Sequence, residues 1–236
     1  HDNGRLTGAT FGDLDGFKVA DPGLSRPNTI VNAVESSTVA IPMKVDSIGT
    51  LELGGLTVAA TKDLMVQTPT TDVQVKSLSL GGGSRIRASE ASAATPQDVN
   101  VTLGVGGTLT AGGGISELGD WIDDAAVTNL TINDAVEYNW TFGPGADNYL
   151  DIAGDLTFDI DPFLGTFTVN ILDGGGAAAG VDVALFRVGN AALALPDAFN
   201  TTINAPAGWT VVGGLRFEGD LVVINLETSG VVVTVE

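Results

Sequence analysis

Residues 51–55 read Leu-Glu-Leu-Gly-Gly, residues 78–82 Leu-Ser-Leu-Gly-Gly and residues 103–107 Leu-Gly-Val-Gly-Gly; Leu130-Thr131-Ile132-Asn133-Asp134 and Leu150-Asp151-Ile152-Ala153-Gly154 follow. In an extended chain successive side chains point to opposite faces, so the two apolar residues of each unit share one face. A Gly or Asn after the strand lets the backbone turn with positive φ. Units of this type, recurring every few tens of residues, predict coils that each bury an apolar face on the next. The fold class expected is all-β, with β-solenoid-like repeats or alternatively a β-sandwich of regularly spaced hairpins. An extended N-terminal arm precedes the repeats and an antiparallel β region follows them.

Composition agrees with strands. The chain has 32 Gly among 236 residues and 44% hydrophobic residues, too apolar for a disordered polyanion. Val, Thr, Ile and Leu between Gly clusters are strand-and-turn chemistry. The formal charge is -19, and between Ala88 and Phe186 no Lys or Arg stands against fifteen Asp and Glu. Nucleic acid and anionic lipid are disfavoured as partners, because binding them requires clustered cations. No apolar run is long enough to insert in a membrane. Without cysteine there are no disulfides, thiol nucleophiles or Cys-ligated zinc. A chain that starts at His1 reads as a processed product.

Three regions are expected: an arm and edge strand over 1–45, the repeats over 46–160, and a C-terminal β cap over 161–236. Within the last, strands are predicted at Phe167–Leu172, Val181–Val188, and near 209–217, 220–226 and 230–235, with a short helix over Ala191–Phe199. Within the first, Thr29–Val45 reads as two short strands, since Glu35-Ser36-Ser37 interrupts its alternation and Pro42 argues for an edge.

From about residue 100 onward the chain resembles bacterial exported proteins with autotransporter-associated β-strand repeats, many carrying PEP-CTERM sorting tails. The resembling residues are Leu103–Leu109, Asn129-Leu130-Thr131-Ile132, Tyr138-Asn139-Trp140, the run Asp147–Thr157, Leu185-Phe186, Gly208-Trp209 and Phe217–Leu221. The chain ends at Glu236 without a Pro-Glu-Pro tail. The resemblance implies an extracellular or cell-surface β-rich matrix protein and no catalytic mechanism.

Candidate chemistry is sparse. With a single histidine, His1, Ser-His-Asp and Cys-His arrangements are not expected. The triple glycines at 81–83 and 112–114 lack the Gly-Lys-Ser/Thr of a phosphate loop. Carboxylates are hard-cation ligands, so calcium is the cofactor to consider, with Asp147, Asn148, Asp151, Asp159 and Asp161 as candidate ligands; Asp159 and Asp161 flank Ile160 and would share a strand face. Four Asn-x-Thr sequons start at Asn100, Asn129, Asn139 and Asn200. Trp121, Trp140 and Trp209 could stack on sugars if exposed.

The function expected is a self-assembling structural protein forming a filament, sheath or surface layer, its partner itself and its neighbour extracellular polysaccharide. Strand exchange would join subunits, with Ile30, Val34, Val39 and Ile41 on the donor and Val231, Val233 and Val235 beside the receiving edge. The alternatives are a monomeric carbohydrate-binding or adhesive module and, behind it, a glycan-cleaving enzyme.

Overall fold

The computed structural model describes residues 10–11, 18–19, 29–39, 43–45, 50–67, 72–89, 98–119, 127–142, 148–173, 181–189 and 194–228. In chain order the strands are β1 (Thr10–Phe11), β2 (Lys18–Val19), β3 (Thr29–Val39), β4 (Met43–Val45), β5 (Thr50–Val58), β6 (Asp63–Gln67) and β7 (Asp72–Gly81). There follow β8 (Arg85–Ser89), β9 (Val99–Gly112), β10 (Ser116–Gly119), β11 (Thr128–Asn133), β12 (Val136–Phe142) and β13 (Leu150–Ile152). The last six are β14 (Leu156–Asp159), β15 (Phe167–Asp173), β16 (Val181–Val188), β17 (Thr201–Asn204), β18 (Trp209–Glu218) and β19 (Leu221–Thr228). They make a ten-stranded and a nine-stranded sheet.

From β1 to β17 every strand pairing is parallel, and the chain visits three ladders in turn. The first takes the leading halves of β3, β5, β7 and β9, then β11 and β14. Trailing halves of the same long strands, then β12, β15 and β17, form the second, which shares the ten-stranded sheet. The third, in the other sheet, runs β2, β4, β6, β8, β10, β13, β16. Only the end departs: β19 pairs antiparallel with β16, and β18 with β19. Among the described strands, the hairpins of a sandwich are confined to that C-terminal meander.

Register stacks like on like. Leu56, Leu78, Leu109, Tyr138, Val169 and Ile203 form one row. Leu64, Ile86, Leu118, Ile152 and Val188 form another across the core. All but Ile203 are buried. At ~25 cal/mol per Å² of apolar surface removed from water, such rows are the main stabilising term. Polar rows run outside: Asn204 donates from Nδ2 to Asn170 Oδ1 (2.8 Å) and Asn170 to Asn139 (2.9 Å), while Asn129 donates to Asn100 (3.0 Å).

Corners are where rungs crowd. A Cβ on Gly82 would lie 2.3 Å from the Gly113 carbonyl oxygen, and one on Gly107 2.0 Å from that of Lys76. The Gly83 amide donates to the Ile115 carbonyl one rung on (2.8 Å). Buried hydroxyls close other corners, Ser116 Oγ donating to the Gly81 carbonyl (3.0 Å) and Thr128 Oγ1 to that of Gly119 (2.7 Å).

Parallel pairing runs on across residue 45, β3 with β5 and β4 with β6, and across residue 160, β12 with β15 and β13 with β16, while the first ladder ends at β14. The structure changes two expectations. The Leu-x-Leu units do not stack directly on one another: Leu51 pairs with Val73, Leu78 with Leu56 and Leu109, and Leu150 lies in the other sheet. Each unit marks a corner, but the corners differ. The helix expected over Ala191–Phe199 is replaced by an irregular 194–197 and a single 3-10 turn, Ala198–Asn200; Pro196 within that stretch denies it an amide donor. Strands expected near 209–217 and 220–226 are β18 and β19, while 230–235 lies outside the described residues.

Candidate functional site

The expected cation ligands that lie among the described residues do not converge. Asp151 sits on β13 in the nine-stranded sheet, and Asp159 ends β14 in the ten-stranded one. Both oxygens of Asp151 are held by Arg187 on β16, Nε donating at 2.9 Å and Nη2 to the other oxygen. That hydrogen bond raises the Arg187 pKa above its ordinary value, and burial opposes it. The guanidinium also lies 5.4 Å from the Tyr149 ring centroid. A carboxylate so neutralised is a poor cation ligand. Asn148 turns its carbonyl to the Trp140 indole N–H.

Asp159 and Asp161 do not share a strand face, because β14 stops at Asp159. Asp161 instead shapes a turn: its Oδ1 accepts from the amides of Phe163 (2.8 Å) and Leu164 (3.1 Å), and its own amide donates to Asp134 Oδ1 (2.8 Å). Asp147 lies outside the described residues. Among those described, no group of three or more His, Cys, Asp or Glu could hold a metal ion.

Of the expected interface residues, Ile30, Val34 and Val39 lie on β3, which pairs with β5 of its own chain from Thr29↔Thr50 to Val39↔Val58. Val34 falls in the irregularity between Asn32 and Ser36. The strand expected as a donor is thus engaged at home. Ile41, Val231, Val233 and Val235 lie outside the described residues.

Trp140 is buried and Trp209 half-buried against the core; Trp121 is outside the described residues. The sequons have a structural cause: a strand that alternates outward Asn, inward apolar, outward Thr spells Asn-x-Thr. Asn100, Asn129 and Asn139 belong to the outer rows, and Asn200 is buried with Nδ2 donating to the carbonyls of Gly165 (2.7 Å) and Asp161 (3.2 Å).

On the outer face, Asp63 takes Arg85 Nε at 2.9 Å and Arg87 Nη2 at 2.8 Å. The Asp63 hydrogen bond raises the Arg85 pKa. A shallow depression of about 410 Å³ is lined by Glu117, Asp151, Arg187 and Asp220 among others, and the Arg187–Asp151 pair spans it. Among the described residues no helix is long and apolar enough to cross a membrane.

Sequence reasoning missed one feature. The corner between the first and second ladders is a turn at Asp161–Gly165, then at Ala198–Asn200 one rung on, and the Asn200 side chain ties the two together. Phe163, Leu164 and Phe199 stand out from it 89%, 87% and 99% exposed. The signal was present in Asp161-Pro162-Phe163-Leu164-Gly165: an apolar pair inside a turn has no strand face to bury it. Next to it, a groove of about 440 Å³ runs between β17 and β18, lined by Pro196, Ile203, Val211 and Leu215 among others.

Comparison of the chain with protein-family models, curated proteins and solved structures finds no match.

Proposed function

We propose that the chain is a β-solenoid whose work is structural: it self-assembles head to tail into an extracellular filament, sheath or surface layer. The observation that carries this reading is the open end of the stack. β17 has one partner, β15, among the described strands, so its outer edge presents backbone donors and acceptors that a further strand would satisfy. Among the described residues the outer Asn row ends there too, with Asn204 donating back to Asn170. A contact between opposite ends of identical units does not close, and gives an open polymer rather than a dimer. The resemblance to exported β-strand-repeat proteins supports the extracellular setting. A carbohydrate-binding module is the weaker reading, because Trp140 is spent on the core. Negative-stain microscopy of the purified chain, with and without calcium, is the test: elongated polymers are expected, and dispersed monomers under all conditions refute the reading.

A further inference from the structure

The core is unfinished at the β17 end. Ile203 continues the row of Tyr138 and Val169, yet it is half-buried where they are buried. Val211 and Leu215 of β18 are likewise packed on the core and only half-covered. Between these residues runs the groove of about 440 Å³. One wall is β17, which has no partner besides β15 among the described strands. The other is β18 at Gly213-Gly214, where a Cβ would meet nothing within 4 Å. Glycine on a strand leaves room for another backbone to come close. The groove thus offers what an added strand needs: apolar side chains to cover, and unpaired backbone donors and acceptors along one edge.

The chain itself brings such a strand to this place. β19 ends at Thr228 opposite Trp209, and the Trp209 amide donates to the Pro206 carbonyl (3.1 Å) in the turn that follows Asn204. Residues leaving β19 therefore start at the end of the molecule where β17 finishes. They read Ser229-Gly230-Val231-Val232-Val233-Thr234-Val235-Glu236. In an extended chain Val231, Val233 and Val235 share one face, and Val232, Thr234 and Glu236 the other. One face suits a core and the other suits its margin, and Val and Thr favour strands. At ~3.3 Å per residue, residues 231–235 span about 16 Å, against about 13 Å for β17. Starting beside Asn204 and running toward Thr201, they would lie antiparallel to β17.

Tethering selects this occupant over a second copy. Two residues separate Thr228 from Val231, and a segment held so close to its site has an effective concentration on the order of millimolar. A free copy at micromolar concentration competes poorly for the same edge. We infer that residues 231–235 dock in this groove of their own chain along the outer edge of β17 and, resting on the proposed self-assembly, that this removable cap sets the concentration at which copies join. A second copy brings a whole rung rather than one strand, so it displaces the cap once it is concentrated enough. A cap in place about nine-tenths of the time weakens the apparent affinity between copies about tenfold.

Hydrogen exchange on the 236-residue chain, dilute enough to be monomeric by sedimentation velocity, reads the docking directly. Residues 231–235 should be protected. In the Val231→Ser/Val233→Ser/Val235→Ser variant that protection should be lost and residues 201–204 should exchange faster, while β7 and β9 keep theirs and so show that the variant folds. Over a concentration series the variant should assemble at about tenfold lower concentration than the unaltered chain. Unprotected 231–235 in the dilute unaltered chain overturns the cap and leaves self-assembly standing. Protection that appears only as concentration rises assigns the groove to a second copy's segment and overturns docking within one chain. Unchanged exchange of 201–204 in the variant overturns the site. Equal assembly thresholds overturn the role in assembly alone. Assembly by neither chain overturns the proposed function and that role with it, and the exchange result still decides the docking.

Discussion

The parallel ladders and the antiparallel meander at their end are built from the same residue types, yet they use them differently. Inside the ladders a strand has neighbours on both edges and a facing sheet, and inward side chains such as Leu109, Leu118 and Leu130 are fully buried. On β18, the outermost strand of the meander, no residue reaches that state; Trp209, Val211, Leu215 and Phe217 are half-buried at the margin of the core. Its partner β19 buries Val222, Ile224 and Leu226. Pairing also differs in regularity, with the β18–β19 register slipping between Val212 and Arg216 at Gly213-Gly214. Burial thus follows position in the stack more than sequence, and the stability of the two regions should separate accordingly.

The largest expected effect breaks a core row. Leu118→Ala removes a buried side chain between Ile86 and Ile152, and should cost about 2–5 kcal/mol by urea denaturation. Val211→Ala on β18 shortens a half-buried side chain and should cost under about 1.5 kcal/mol. Equal losses would contradict a difference in burial between the regions.

Glycine sharpens the same contrast. Gly107 is needed for room, since a methyl group there meets the Lys76 backbone; Gly107→Ala should destabilise by about 1–3 kcal/mol, as overpacking does. In the meander Gly213 and Gly219 are needed for φ, at +79° and +66°, with open space around each Cβ. Gly219→Ala should cost about 1 kcal/mol from backbone strain alone. Gly214, with neither constraint, should accept Ala with no loss.

Tyr138 tests the ladder's interior more gently. Its phenol is buried, stacks on Phe186 with centroids 4.9 Å apart, and donates to the Leu185 carbonyl at 3.2 Å. Tyr138→Phe should cost about 1–2 kcal/mol by leaving that carbonyl unpaired. Burial also pushes the phenol's pKa above its ordinary value. The sign follows: the unfolded chain ionises near pH ~10 while the folded one stays neutral, so this contribution is whole below about pH 10 and is lost as pH rises further. The Phe variant should lack that part of the alkaline loss, read as urea midpoints across pH.

The all-β class and several strands were legible and the pairing of the strands was not. Alternating apolar residues and glycine turns specified strands, and β15, β16, β18 and β19 fall where the sequence places them. The Leu-x-Leu motif misled because every corner follows a strand that ends on inward apolar residues: Leu53 and Leu103 precede one corner, Leu80 the next and Ile152 the third. Rung length varies as well, from 19 residues between Ser37 and Leu56 to 36 between Asp151 and Arg187, which erases a fixed period. Whether the expected cation ligands meet was illegible for another reason. Carboxylates close in sequence, Asp151 and Asp159, are sent to different sheets, and the partner of Asp151 is Arg187, 36 residues away.

The smallest effect belongs to the exposed end of the meander. Asp182 on β16 faces Asn225 on β19, and its carboxylate accepts hydrogen bonds from Arg216 and from Asn225 Nδ2 (2.8 Å). Those bonds, Arg216 first, hold its pKa below the ordinary carboxylate value, and they raise that of Arg216. A depressed carboxylate stabilises the fold above its unfolded pKa of about 3.9, and the contribution is lost as pH falls through the folded value. The group is exposed, so water and salt screen the pair and its weight is small. Asp182→Asn should therefore lower the urea midpoint slightly near pH ~6, and the gap from wild type should close as the pH approaches about 2. High salt at the higher pH should narrow it too. A gap that stays constant across the whole range would mean that Asp182 acts through packing or neutral hydrogen bonding, and that charge adds nothing to the joining of β16, β19 and β18.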